Sequence, residues 1–300
     1  MSFDITNWRD NLFPIVTKYF DDRVIKRQGI MEKVIGIETT NRYSFDEYGM
    51  GGFGEIPDYD GSLITELNRK KGFKTTYVTA EKAGRALVEY KAAKFDLSGE
   101  SKRAGNLLAD SCGLTQLMGF YRLFSNGFNA SYVGGDAKSL FASDHPVNSD
   151  PDSATFSNTG TTAFSITAIT ATQTAMQRWV TYDGFPFMCE LDVVLVSPEL
   201  EPLCKQYFGG NAKLLPGTAG MNDNNPVFDM KYAVIKTFSA KQWAIGDSLM
   251  MKEHIKMVHG TKPMVIPQKT PNPLIQEFVG YMDYVLGWSE PKVIFGHNPA

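Results

Sequence analysis

The stretch from Gly61 to Gly105 limits this chain most. It holds ten Lys and Arg residues against five acids, a local excess of +5 in a chain whose formal net charge is −3. The remainder is therefore acidic. Residues 62–80 and 85–96 read as two extended ribbons: Thr75, Thr76, Tyr77, Val78 and Thr79 are strong strand formers. Lys70, Lys71 and Gly72 mark a turn between strands. A two-stranded ribbon with no core of its own is marginal in water. Such a ribbon gains stability by lying across another surface. A basic ribbon on an acidic body suits head-to-tail contact between copies of one chain, and the charge count suits a solvated face equally well.

The rest of the chain supplies a body. Trp8, Leu12, Ile15, Val16, Tyr19 and Phe20 recur at helical spacing over residues 3–27, with Pro14 expected to kink or end the helix. This opening segment reads as an arm that packs on a neighbour or along the body. Residues 31–37 read as a short strand. Tyr48 to Gly54 is glycine-rich, but Glu55, Ile56, Pro57 and Asp58 follow it where a phosphate cradle needs a helix with Lys or Ser/Thr. A hinge is the better reading.

A long helix is expected over about 98–124, striped by Ala104, Leu107, Leu108, Ser111, Leu114, Met118 and Tyr121. Gly105, Gly113 and Gly119 each cost about 1 kcal/mol there, so they mark close backbone approach or bends. Residues 129–162 read as loop. From Phe164 the pattern alternates: a helix through Ile169, Thr172, Met176, Trp179 and Val180, a buried strand at 191–196, then Ser197-Pro198-Glu199 opening another helix. Strands are expected at 228–238, at 242–245, and at 255–266 where Pro267 bounds them. The whole is a mixed α+β pattern.

Catalytic chemistry is poorly represented. Cys112, Cys189 and Cys204 show no CxxC spacing and read as small buried hydrophobes. The histidines His145, His254, His259 and His297 show no metal-ligand spacing. Ser143-Asp144-His145 places three triad residue types side by side, but adjacent residues on an extended chain diverge, and no nucleophile elbow accompanies them. No catalytic, cofactor or metal residue is assigned. No apolar run approaches the ~18–20 residues of a bilayer span. The N-terminus lacks a signal-peptide pattern, so a cytoplasmic origin is expected.

The order of parts, arm, basic ribbon, long helix and then α/β region, resembles the major capsid proteins of tailed phages, with the Hong Kong 97-type capsid fold. More narrowly it is similar to the Mu-like major head subunit family. The residues that carry the likeness are Ser139 to Pro146 (SLFASDHP), Val193 to Pro202 (VVLVSPELEP) and Gly287 to Pro291 (GWSEP). The resemblance implies an N-terminal arm at 1–50 and an extended loop at 51–95 reaching over a neighbour. It further implies a peripheral domain at 96–163 and 271–300 with the long helix as its spine, and an axial domain at 164–270.

It implies a shell of pentamers and hexamers of this chain around double-stranded DNA, held by sequence-independent, salt-sensitive contact. A separate scaffolding protein, a portal and decoration proteins would be partners, and the virion capsid, built in the host bacterial cytoplasm, would be the location. No membrane partner and no lysine-to-asparagine crosslink are expected. Arg69, Lys70, Lys71, Lys74, Trp8, Tyr19 and Phe20 are the expected contacts between subunits. Two alternatives stand beside this reading: an encapsulin-type bacterial compartment shell, and a hydrolase built around His145.

Overall fold

The computed structural model describes residues 8–24, 29–49, 55–59, 61, 64, 66–67, 72–95, 99–149, 153–208 and 230–300. Helix α1 (Trp8–Val24) buries Trp8, Leu12, Val16 and Phe20, one side chain per turn. The helix runs unbroken through Pro14. Pro14 and Asp10 both lie on the exposed side, so the carbonyl of residue 10 that lacks a donor is left to water. A short helix α2 (Met31–Val34) stands where a strand was expected, because Met31 and Val34, three apart, both point into the core. Strand β1 (Gly36–Thr39) follows.

Strands β2 (Ser44–Tyr48) and β3 (Lys74–Val78) pair antiparallel. One residue later β3 continues as β4 (Ala80–Glu89). The expected ribbon stops there, and helix α3 (Tyr90–Phe95) replaces its end. Ala93 faces inward and the Tyr90 ring meets Trp8 edge-on at 5.3 Å, which favours a helical turn over an extended one.

Helix α4 (Glu100–Ser125) is the longest element. Helix α1 crosses it where a Cβ on Gly105 would lie 2.6 Å from the Val16 carbonyl oxygen. Arg23 then ties the far end of α1 to Asp110 with two hydrogen bonds of 2.9 and 3.0 Å.

Three short strands, β5 (His145–Pro146), β6 (Thr155–Phe156) and β7 (Thr159–Gly160), interrupt the long loop. Helix α5 (Ile166–Met176) is capped by the Ser165 hydroxyl and ends before Trp179 and Val180, which turn into a bridge between Val180 and Pro186. Strand β8 (Val193–Val196) is buried throughout. A 3₁₀ turn at Pro198–Leu200 leads into helix α6 (Glu201–Phe208). The Ser197 hydroxyl donates to the Ala240 carbonyl instead of capping that turn.

Strands β9 (Lys231–Val234) and β10 (Trp243–Gly246) and helix α7 (Ser248–His254) follow. Two long strands, β11 (Ile255–Lys269) and β12 (Ile275–Trp288), form one antiparallel hairpin. Pro267 does not end β11. Among the described residues, β1 pairs only with residues 256–259, so residue 267 has a partner strand on one side alone, an edge position where proline is tolerated. Strand β13 (Ile294–His297) closes the chain.

Two sheets result. One runs β1-β11-β12-β4 and the other β7-β13-β10-β8-β9. Helices α1 and α4 pack on the first, and their core includes Leu108, Phe120, Phe124, Met257 and Phe278. Phe164, Ile169, Val194, Cys204 and Trp243 belong to a second core under α5 and α6. Each such side chain contributes about 1.5–3 kcal/mol when fully buried.

The pairing crosses both expected domain boundaries. Residues 255–269, expected with the axial domain, pair with β12, and β12 pairs with β4. Residues 294–297, expected with the peripheral domain, pair with β10. Alternating apolar residues announce a strand but do not say which sheet it joins.

Candidate functional site

The ribbon leaves the body at Gly49 and returns at Gly72. These two residues touch: a Cβ on Gly72 would lie 2.7 Å from the Gly49 carbonyl carbon. The Gly49 N–H donates to the Phe73 carbonyl at 2.9 Å, continuing the β2–β3 ladder. Beyond this root the described part of the loop carries Ile56, Tyr59 and Ile64 in the open, with Ile64 82% exposed. Large apolar side chains left in the open mark a candidate contact surface.

The seven expected contact residues divide. Arg69, Lys70 and Lys71 lie outside the described residues. Lys74 is exposed at the root and pairs with Asp46 at 2.8 Å, which raises its pKa and lowers that of Asp46. Tyr19 is half-buried, with the Lys102 ammonium 5.0 Å from its ring centre. Trp8 and Phe20 are placed differently from the expectation. They are 1% and 0% exposed, inside the core that α1 shares with α4. A helix alone cannot cover its apolar stripe, and here the chain's own long helix covers it before any neighbour does.

Under the root lies a buried group of ionisable side chains. Glu290 and Lys292 are 0% and 1% exposed. They flank Pro291 in the turn that carries the chain from β12, in one sheet, to β13, in the other. The Lys292 ammonium stands 4.2 Å from the ring centre of Tyr182 and 5.1 Å from that of Phe156, and donates to the Val147 carbonyl at 3.4 Å. Burial lowers its pKa, and the Glu290 carboxylate opposes that.

Glu290 accepts the Lys292 backbone N–H at 3.3 Å. Burial raises the pKa of Tyr182, and the nearby Glu290 carboxylate raises it further. Behind Phe156, the ring of His145 stacks at 5.1 Å and its Nδ1 meets Asp136 Oδ2 at 2.6 Å.

This arrangement disposes of the Ser143-Asp144-His145 trio as a catalytic unit. His145 turns inward to Asp136, while Asp144 turns outward and pairs with Lys138. Ser143 and Asp144 line a groove of about 820 Å³ along residues 128–144 and 159–161, and the His145 ring is not part of its wall. Burial pushes the Cys189 thiol up to about 11 and the Cys204 thiol up to about 12, which leaves both unreactive. Among the described residues, no three His, Cys, Asp or Glu side chains are arranged to hold a metal ion, and no helix is long and apolar enough to cross a membrane.

Sequence reasoning passed over Tyr182, Glu290 and Lys292 as a unit. The only signal was local: a glutamate and a lysine either side of Pro291, inside an otherwise apolar tail.

No family model and no curated protein matches the sequence. Solved structures do match the fold. A phage-related protein from Bordetella bronchiseptica is 13% identical, with a TM-score of 0.55 and coverage of 95% of this chain and 96% of that one. The satellite phage P4 procapsid, which includes a size-determination protein, gives 15% identity, a TM-score of 0.53, and coverage of 94% and 90%. A virus-like particle from Pyrococcus furiosus gives 9% identity, a TM-score of 0.52, and coverage of 94% and 97%. The chain has the Hong Kong 97-type capsid fold over nearly its whole length.

Proposed function

We propose that this chain is the major capsid subunit of a tailed double-stranded-DNA phage. It assembles with copies of itself into pentamers and hexamers that close an icosahedral shell. The observation that carries the reading is the capsid fold spanning some nine-tenths of the chain, joined to solved procapsid and particle proteins. The exposed apolar loop rooted at Gly49 and Gly72 supports it, since a repeating shell needs one surface on each copy that reaches for the next. The Mu-like head family is the narrower assignment we favour, on the three sequence motifs.

On this reading α4 and the β1-β11-β12-β4 sheet form the peripheral unit, and the five-stranded sheet with α5 and α6 forms the axial unit. Lys74, Tyr19 and the basic residues Arg69, Lys70 and Lys71 meet a neighbour. A separate scaffolding protein, a portal, decoration proteins and packaged DNA are the other partners, and the mature virion is the location. We assign the chain no catalytic role.

The test is electron microscopy with light scattering on the protein made with and without its neighbouring genes. Closed shells, tubes, or rings of five or six are the expected result, and a clean monomer in both preparations overturns the proposal. A compartment shell of the encapsulin type is the second reading, favoured by the likeness to the Pyrococcus particle. Shell contents separate the two: packaged genomic DNA supports the phage reading, and a co-purifying protein cargo supports the compartment.

A further inference from the structure

We infer that Tyr182, Glu290 and Lys292 are positioning residues that fix the root of the extended loop to the turn joining the two sheets. The direction in which β2 and β3 end at Gly49 and Gly72 is thereby tied to the angle between the sheets.

Three observations converge on this. First, the root sits directly on the ionisable group: a Cβ on Gly49 would lie 2.8 Å from the Ser289 carbonyl oxygen, 3.0 Å from Glu290 Oε2 and 3.3 Å from the Tyr182 hydroxyl. No side chain fits between root and anchor. Second, both strands of the root are held. The Phe73 ring meets the Tyr182 ring at 6.0 Å, and the Thr75 hydroxyl donates to the Trp288 carbonyl at 3.3 Å. Gly135 supports β3 from the other side, where a Cβ would lie 2.5 Å from the Lys74 carbonyl oxygen.

Third, the anchor belongs to neither sheet alone. Glu290 and Lys292 occupy the turn between β12 and β13, while Tyr182 follows α5 in the second unit. A rotation of one sheet against the other moves Tyr182 relative to Glu290, and the root, with Phe73 on the Tyr182 ring and Gly49 against Glu290, must follow one of them or break away.

An uncompensated carboxylate and ammonium are costly inside a protein, and apolar residues of the same volume are often as stable. Two charges held in such a place are explained by geometry that they specify and an apolar filling would not. Glu290 fixes the Tyr182 hydroxyl, and Lys292 fixes the faces of Tyr182 and Phe156.

The consequence for shell assembly rests on the proposed function. The anchor itself does not, and the experiment separates them. Hydrogen exchange is followed by mass spectrometry on the full-length protein and on its Tyr182→Phe, Glu290→Gln and Lys292→Met variants, with electron microscopy of the same samples. Tyr182→Phe removes one hydroxyl and no volume. It is expected to speed exchange of the Phe73 and Gly49 amides several-fold, as the root loosens against Tyr182 and Glu290. The β8, β10 and β13 amides are expected to stay as slow as in the parent.

Glu290→Gln is expected to act in the same direction and more weakly, because an amide oxygen still accepts. Lys292→Met controls for fold loss: the same local acceleration with slow β8 and β10 supports the anchor. Unchanged exchange at residues 49 and 73 in Tyr182→Phe overturns it, and so does uniform acceleration across both sheets in all three variants. If the parent forms no shells, the function proposal falls while the exchange result still judges the anchor.

Discussion

The His297 ring lies flat on Trp243, with 4.1 Å between centroids, and its Nε2 shares a hydrogen bond of 2.9 Å with the Thr172 hydroxyl. Burial holds the imidazole neutral and pushes its pKa down to about 4. In the unfolded chain the same ring takes up a proton near pH ~6.5. Between those two values the unfolded state binds more protons than the folded one. Stability therefore falls as pH drops through about 6.5 toward 4, and levels off below the folded value. The loss from His297 is on the order of 3 kcal/mol.

Burial also lowers the pKa of His254 and His259, so they add to the slope in the same direction. Urea unfolding at pH 7.5, 5.5 and 4.5 should show the parent weakening, and His297→Gln weakening less. Equal slopes for the two proteins would refute the account. In the sequence, His145 stands out only for the Ser-Asp-His trio, and the other three histidines only as poor metal ligands. What His297 does depends on the register that sets it beside Trp243 across β10 and β13, and no local pattern encodes that.

At the scale of elements, the crossing of α1 and α4 turns on Gly105. Alanine at an interior helix position is favoured over glycine by about 1 kcal/mol. Here the added Cβ would stand 2.6 Å from a backbone oxygen, and neither partner is a flexible side-chain end. Steric overlap wins. Gly105→Ala is expected to destabilise the protein by about 1–3 kcal/mol, with Gly105→Val worse and α1 undocked. Chemical denaturation measures the cost, and limited proteolysis around residue 24 reports the undocking. A stabilised Gly105→Ala would mean that the helices do not cross there.

This element shows how far periodicity carries. The apolar stripe of α1 and the glycines of α4 are both readable, and the glycines read as places of close approach or as bends. Their partnership was not readable, so Trp8 and Phe20 were assigned to a neighbouring copy when the cover lay some ninety residues along the same chain. The end of the ribbon failed for the opposite reason. Residues 90–95 have little pattern of their own, and the contact between Tyr90 and Trp8 decides their conformation. Likewise Pro267 looked like a terminator because a sequence does not show which strand edges are open.

For the whole molecule, the division of labour between body and loop is testable as a single cut. The order of the parts was legible and pointed to the fold. The route of the chain between the two sheets was not, since β12 and β13 lie six residues apart and belong to different sheets. That route puts Gly49 against Gly72, so residues 50–71 can be removed and the two glycines joined by Asn-Gly without stretching the β2–β3 ladder. Among the described residues of that stretch, Ile56, Tyr59 and Ile64 are exposed and none enters either hydrophobic core. The shortened protein is therefore expected to keep its far-UV circular dichroism and to unfold cooperatively, with a melting point close to the parent's. If the loop is the surface through which copies bind, that protein should elute as a monomer or small ring and form no closed shells under conditions where the parent does. Intact shells from the shortened protein would move the contact surface elsewhere, and the exposed outer face of α4 at Leu107 and Leu114 would be the next place to cut. Loss of the cooperative transition would instead make the loop part of the folding unit, against the marginal contribution its composition implies.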